Sequence, residues 1–360
     1  MTSRPHIIVI GGGLIGLSSA QFLLLKGANV TVVERQTMAM RGASYANSAM
    51  LHLSQATPWV SVIGKDYLEA NASKHVLWLA RQSKPLIDKN AQRLSLNMRQ
   101  RSSGCLQVFT DIENWKTAQT QYDNLGVEYK RQPAGGILGD MPSLFFPNDH
   151  SGDAFEYGQA LALDIEKKGV SFKTGRAAEL RYENGRVKGV DFGAEYFDAD
   201  HVVLACGAAS QSLAKTVGLS LPLKAIQGYS LDYKLPSELE LPRIPIMHAE
   251  SRSCLTVFEN KFRLSGTVGR SDSEYLIQTW SKLMPSLKPH LVNSLSPEWK
   301  GQRPGSLMGR PLIGRSAVPG LWVNTGHAHM GWTLCAGAGQ LLAEMIVDGK
   351  TDGRFAVTSL

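Results

Sequence analysis

Apolar positions over residues 6–34 change period twice, and the changes predict a strand, a helix and a second strand. HIIVI (6–10) has strand character and stops at three glycines. LIGLSSAQFLLLKG then spaces its apolar residues as a helix does and ends on Gly27, and NVTVVE (29–34) is strand-like again. The twenty residues 6–25 carry no formal charge and follow Arg4. A membrane-spanning helix needs about 20 apolar residues, and a secretory signal needs a basic start and a small-residue cleavage site. Length fits either, but the glycine break and the change of period argue against both.

A polar, small-residue loop (35–59) leads to an amphipathic helical region at 62–90. RLSLNMRQRSSGCLQVFT (93–110) alternates like a hairpin with its turn at 102–104. Helices are predicted at 111–125 and 153–169, the second capped by Asp153 and ended by Gly169. Residues 170–210 read as short strands with turns at 183–185 and at Gly193, closing on HVVLAC, which enters Gly207 and returns the chain to the first sheet. Strand-like runs dominate 221–299 with one helix at 273–287, and the last segment is a strand, a loop rich in Gly and His, and a helix. The expected class is α/β (α+β): a Rossmann-like domain from 1–60, 150–215 and 300–360, with a mixed β-sheet domain inserted as 61–149 and 216–299.

The glycines of the first turn fall as Gly11, Gly13 and Gly16, giving GxGxxG between strand and helix. The first makes a tight turn, the second lets backbone approach a pyrophosphate, and the third lets helix lie on strand. Leu14 and Ile15 open the helix, where free N–H groups and the helix dipole favour an anion. Glu34 ends the second strand, 18 residues beyond Gly16, as an acceptor for a ribose diol. The pattern predicts a dinucleotide site and leaves NAD and FAD both open.

With 43% hydrophobic and 19% charged residues among 360, the chain can bury a sizeable core. A formal charge of +7 favours anionic ligands, an acidic bilayer surface or nucleic acid. The 38 basic residues are scattered, however, and no basic run is interleaved with aromatics, so no nucleic-acid partner is expected. Cys105, Cys206, Cys254 and Cys335 lie far apart without CxxC or metal-ligand spacing, so neither a disulfide framework nor a metal site is expected, and a reducing, cytoplasmic compartment is. A second GxGxxG and a CxxxxC pair are both missing, which argues against an NAD(P)H-linked monooxygenase or disulfide reductase.

Six segments, VIGGGLIGLSSAQFLLLKGANVTVVER, SYANSAMLHLSQATPW, FFPNDHSGDAFEYGQAL, VVLACGAAS, GQRPGSLMGRPLIGRS and NTGHAHMGWTLCAGAGQLLAEM, resemble in order the D-amino-acid oxidase superfamily of FAD enzymes, and most of all the bacterial D-amino-acid dehydrogenases. The resemblance implies FAD as cofactor. Glu34 and Arg35 would meet its adenosine end; Ser44, Ala46 and Asn47 would lie near the ribityl chain and flavin; Ala177, Cys206 and Gly207 would cover the adenine and pyrophosphate. Residues 326–333, with Gly326, His327, Met330, Gly331, Trp332 and Thr333, would lie under the flavin. A glycine-rich loop feeding a helix aims N–H groups at the pyrimidine edge of the ring, where negative charge gathers on reduction. Arg303 corresponds to the family's carboxylate-binding arginine, whose fork grips a carboxylate through two parallel hydrogen bonds. Tyr229 matches the edge of the substrate cavity, and His52 and His329 are candidate acid/base groups beside the flavin, although hydride transfer from a neutral amine requires neither.

Three departures from the family pattern stand out. Met308 precedes Gly309 where an acid is usual, His329 replaces a small polar residue, and 129–144 is condensed, which bears on the cavity wall and side-chain preference. The expected reaction is oxidative deamination of a D-amino acid, or oxidation of a cyclic imino acid such as D-proline or hydroxyproline, by hydride transfer from the α-carbon to flavin N5. The alternatives are a glycine- or sarcosine-type amine oxidase and a flavin-binding subunit without activity of its own. The electron acceptor is expected to be oxygen, a quinone or a carrier protein. With no transmembrane segment expected, contact with a quinone pool would be peripheral, on the inner face of the cytoplasmic membrane.

Overall fold

The computed structural model describes residues 4–96, 104–135, 138–268 and 272–358. Its first sheet runs in the order Leu312–Arg315, Leu321–Thr325, His201–Leu204, His6–Ile10, Asn29–Glu34, Ser171–Thr174. Neighbours are parallel except at the Leu312–Arg315 edge. The central strands are apolar on both faces because both are covered. Ile7, Val9 and Val203 pack into a cluster with the helices, whereas Ile8, Ile10, Val202 and Leu204 face Val187, Val190 and Phe192 of the antiparallel sheet Glu179–Glu183, Arg186–Phe192, Glu195–Asp198.

On the helical side, Gly331–Val347 packs on both Leu14–Leu25 and Ala72–Arg93. A Cβ on Gly339 would lie 2.6 Å from the Ser18 carbonyl carbon, so the first two helices touch backbone to backbone. The run Ala328–Val347 is the one described stretch long and apolar enough to cross a membrane; 67% of its apolar window is buried here, as a core helix requires.

The second sheet has eight strands, in the order Trp299–Ser306, Leu223–Lys234, Lys261–Gly266, Ser253–Val257, Ile246–His248, Cys105–Val108, Pro142–Phe146, Lys130–Pro133. All pairs are antiparallel save Ile246–His248 on Cys105–Val108. Leu231, Tyr233, Leu255 and Leu264 pack against Trp280 and Leu283 of the helix Glu274–Leu283. Two elements cross the spans drawn from sequence: Ala72–Arg93, within 61–149, packs beside the first sheet, and Trp299–Ser306, at the start of 300–360, pairs in the second.

Three local expectations change. The helical region at 62–90 splits, because Gly64 at φ +87° stops the short turn Val60–Ile63 before Ala72–Arg93 begins. Of the hairpin expected over 93–110, Arg93 instead ends that helix, and residues 97–101 of its first arm lie outside the described residues. Its predicted turn at 102–103 lies outside the described residues, and Cys105–Val108 pairs instead with strands 142–146 and 246–248. The helix at 273–287 ends at Leu283, where Pro285 opens a separate 3-10 turn, Pro285–His290.

Candidate active site

A cleft of about 1620 Å³ is lined by residues of both sheets. At its dinucleotide end Gly11 has φ +118° and donates its N–H to the Val33 carbonyl oxygen at 2.8 Å. A Cβ there would lie 2.6 Å from the Ala205 carbonyl oxygen, and one on Gly16 would lie 1.8 Å from that of Gly11. Only glycine fits either place, so the turn is tight and Gly13, Leu14 and Ile15 face the cleft at the helix start. Glu34 faces it too, with its two oxygens accepting the Gly12 and Gln36 N–H groups at 2.7 and 2.8 Å. The acid therefore also holds the turn, and a carboxylate keeps lone pairs free for a ribose diol. Arg35, Ala177, Cys206 and Gly207 complete this wall; burial pushes the Cys206 thiol up and keeps it protonated.

Ser44, Ala46 and Asn47 sit on a loop sewn to the second sheet. Thr256 Oγ1 donates to the Ser48 carbonyl at 2.8 Å, Ser265 Oγ to Ser48 Oγ at 2.9 Å, and Arg263 Nη1 to the Asn47 carbonyl at 2.9 Å. Arg263 is in turn gripped by Asp232, Nε to Oδ1 at 2.6 Å and Nη2 to Oδ2 at 2.9 Å. Burial alone would raise that carboxyl, but Arg263 and Lys261 hold it below the ordinary range.

The carboxy-terminal loop brings His327, His329, Gly331 and Trp332 to the cleft, whereas Gly16, Gly326, Met330 and Thr333 pack behind the residues that line it. Thr333 still acts there, since its hydroxyl accepts the His52 N–H at 3.1 Å. The helix Gly331–Val347 has neither a side-chain cap nor an acidic residue in its first turn, so its positive end is unopposed. All three histidines are neutral at neutral pH. Burial lowers His52 to about 4, against a hydrogen bond to the His329 backbone, and lowers His327 to about 3. Burial first, then His52, Arg303 and Arg252, bring His329 to about 3. His329 Nε2 lies 2.8 Å from the Gln55 carbonyl, an acceptor, so that nitrogen carries the proton. Its ring stacks on Trp59 with centroids 4.1 Å apart.

Arg303 projects into the same cleft and makes one polar contact, Nη1 to the Thr267 carbonyl at 3.4 Å, with no carboxylate in reach among the described residues. Burial lowers it to about 10, which leaves it charged. Tyr229 is buried on the neighbouring strand and lines the cleft, its hydroxyl accepting from Gln227. Sequence reasoning missed Trp59, Arg252 and Asp149. Asp149 Oδ1 accepts the Leu53 N–H at 2.6 Å and the Ser54 N–H at 3.3 Å, and Oδ2 accepts the Ser54 hydroxyl at 2.5 Å, which fixes the loop carrying His52. Burial pushes its carboxyl up to about 6 in spite of these bonds. Met308 stands where an acid is usual, and Arg310, two residues on, is held by Glu69 through two contacts of 2.7 Å.

A family model described as FAD dependent oxidoreductase matches residues 6–345. The chain belongs to the FAD dependent oxidoreductase family. A D-amino acid dehydrogenase of Cereibacter sphaeroides is 29% identical, over 96% of this chain and 92% of its own. Glycine oxidase from Geobacillus kaustophilus shares the fold at a TM-score of 0.80, with 21% identity over 99% of each chain. L-proline dehydrogenase from P. horikoshii does so at 0.79, with 20% identity over 98% of this chain and 95% of that one. FAD is thus the cofactor of this oxidoreductase, and the residues present fit it. The glycine cradle admits no Cβ, and buried polar atoms without a protein partner gather around the cleft: His52 Nδ1, both ring nitrogens of His327, His329 Nδ1 and the Trp332 indole N–H. When bound, FAD supplies a two-electron acceptor for hydride.

Proposed function

We propose that this FAD dependent oxidoreductase oxidises a D-amino acid or cyclic imino acid at its α-carbon. The observation that carries the reading is the Arg303 guanidinium, charged, without a carboxylate partner, and facing a cleft whose other end is the dinucleotide cradle. The full-length likeness to D-amino acid dehydrogenases supports it.

Arg303 grips the substrate carboxylate and so orients the α-hydrogen toward the flavin; Tyr229 closes the side of the pocket. When FAD is bound, Gly11, Gly13, Leu14 and Ile15 would hold the pyrophosphate, Glu34 and Arg35 the adenosine end, Ala177, Cys206 and Gly207 would cover the adenine and pyrophosphate, and Ser44, Ala46 and Asn47 would lie near the ribityl chain and flavin. Residues 326–333 would lie under the ring, where the unopposed start of Gly331–Val347 would stabilise charge gained on reduction. His52 and His329, both neutral, shape the pocket and leave proton transfer to the substrate amine and water. With FAD bound as the two-electron acceptor, the α C–H bond would break with its electron pair passing as hydride to the flavin, the C–N bond would become an iminium that loses a nitrogen proton to water, and water would then release ammonia and a keto acid unless the imine is cyclic. The electrons pass on to oxygen, a quinone or a carrier protein, with a quinone reached from the inner face of the cytoplasmic membrane.

Arg303→Ala should cut kcat/KM for amino acids by about 100-fold or more, as loss of a charge-assisted double hydrogen bond implies. Anaerobic bleaching of the flavin absorbance by a panel of D- and L-amino acids, glycine, sarcosine and hydroxyproline isomers checks both residue and substrate. Unchanged turnover in the variant overturns the carboxylate role, and bleaching confined to glycine and sarcosine replaces the substrate class. Comparing oxygen uptake with dye reduction identifies the acceptor.

A further inference from the structure

We propose that the substrate carries a second carboxylate, and that Arg252, facing Arg303 around Trp59, selects it. This rests on the amino-acid reading above and narrows it to acidic amino acids or imino diacids.

Arg252 stands at the tip of the hairpin between Ile246–His248 and Ser253–Val257, in the left-handed region at φ +51°. The turn around it is clamped. His248 Nε2 lies 2.9 Å from the Glu250 carboxylate and its Nδ1 lies 2.8 Å from Ser251 Oγ; Ser251 Oγ meets Ser253 Oγ at 2.7 Å, and the Trp280 indole N–H donates to Ser253 Oγ at 3.0 Å. Every neighbour is tied down, yet the Arg252 guanidinium makes no hydrogen bond or ion pair among the described residues. It lies over Trp59, whose ring centre is 5.6 Å away.

Glu250 would be the obvious counter-ion, and it is already committed. Burial alone would raise its carboxyl, but His248, its own backbone N–H and the Thr110 N–H at 3.3 Å bring it down to about 2, and the Asp111 N–H also donates to it at 3.2 Å. Arg303 stands the same 5.6 Å from the Trp59 ring centre, so the two guanidinium carbons are at most twice that distance apart. Both line the cleft, and both act on His329. Two like charges are therefore held, half-desolvated and unpaired, on a fixed frame beside one aromatic ring. A substrate with a single carboxylate satisfies Arg303 and leaves the other cation uncompensated, whereas two carboxylates neutralise both. Strain at φ +51° and a rigid turn make sense for a side chain that must be presented in place.

The test compares D-aspartate, D-glutamate and iminodiacetate with D-alanine and D-leucine by anaerobic flavin reduction in the holoenzyme, the first two placing the second carboxylate on the side chain and the third on nitrogen. The expected preference for dicarboxylates is at least about 10-fold in kcat/KM, and Arg252→Gln should shrink that ratio by about 10- to 100-fold, as loss of a charge-assisted contact predicts. Arg252→Glu should move the preference toward D-lysine, a gain that misfolding does not produce. Equal use of both classes, with Arg252→Gln lowering them alike, overturns the inference and leaves the amino-acid reading standing. Should no amino or imino acid reduce the flavin, that reading falls, and titration of the flavin spectrum with glutarate and butyrate decides the rest. Glutarate binding about 10-fold tighter, dependent on Arg252, sustains the two-carboxylate site; equal binding removes it.

Discussion

Asp149 is a buried carboxyl whose hydrogen bonds fall short of what burial takes away, and its titration gives a pH signature. Its folded value of about 6 lies above the ordinary 3.8, so between those pH values the folded chain keeps a proton that the unfolded chain has lost. Stability from this group is thus greatest below pH 4 and falls as pH rises to 6, by up to about 3 kcal/mol. Asp149→Asn keeps an acceptor for the Leu53 N–H and gains a donor for Ser54 Oγ, but does not titrate. Urea unfolding at pH 4.5 and pH 7 should show the variant gaining on the parent as pH rises; parallel changes in the two proteins would mean that Asp149 ionises freely in the fold. At this scale the sequence was legible where a residue belongs to a motif, as with Gly11, Glu34 and Arg303. Arg252 and Asp149 belong to none: each takes its meaning from a loop that arrives from far along the chain, 96 residues in the case of Asp149 and Leu53.

Elements were legible wherever their period was clean. The strands 6–10 and 29–34 and the capped helices Ile112–Leu125 and Ala154–Lys167 fall where predicted, because Asp111 and Asp153 each accept two N–H groups of the first turn. Misreadings arose at 62–90 and 93–110, where a positive-φ glycine and a helix end were invisible to hydrophobic periodicity. Close packing between helices is equally silent in one sequence. Gly339 is a small residue in a helix of small residues, yet its hydrogen faces the Ser18 backbone, with no flexible atom to give way. Gly339→Ala should therefore push Gly331–Val347 off Leu14–Leu25 and cost about 1–3 kcal/mol, against a gain of about 1 kcal/mol in helix propensity. Because that helix start underlies the cleft, flavin should also leave the variant more readily on dilution, followed by its fluorescence. Gly353→Ala, with open space around it, is the control.

Across the whole molecule, the dinucleotide cradle and the Arg303 end of the cleft are built by different sheets, and the cleft keeps its shape only if the two keep their distance. Much of that burden falls on the 44–48 loop, which lines the dinucleotide side but is held from the second sheet by Thr256, Arg263 and Ser265. Arg263 is the strongest link, since it is buried, doubly bonded to Asp232 and donates onward to Asn47. Lys261 shares Asp232 at 2.6 Å but is part-exposed, so solvent screens its bond. The two cations should separate cleanly in experiment. Arg263→Met strands a buried carboxylate on a single screened partner and should cost about 3 kcal/mol, together with about a 10-fold loss of flavin affinity as the loop comes loose. Lys261→Met should cost about 1 kcal/mol or less and leave flavin affinity alone. Calorimetric melting with and without added FAD measures both effects: the stabilisation that FAD confers should shrink in Arg263→Met and persist in Lys261→Met. If the two variants respond alike, the sheets are held in register by packing across the seam, and the Asp232–Arg263–Asn47 chain is of no consequence to the cofactor.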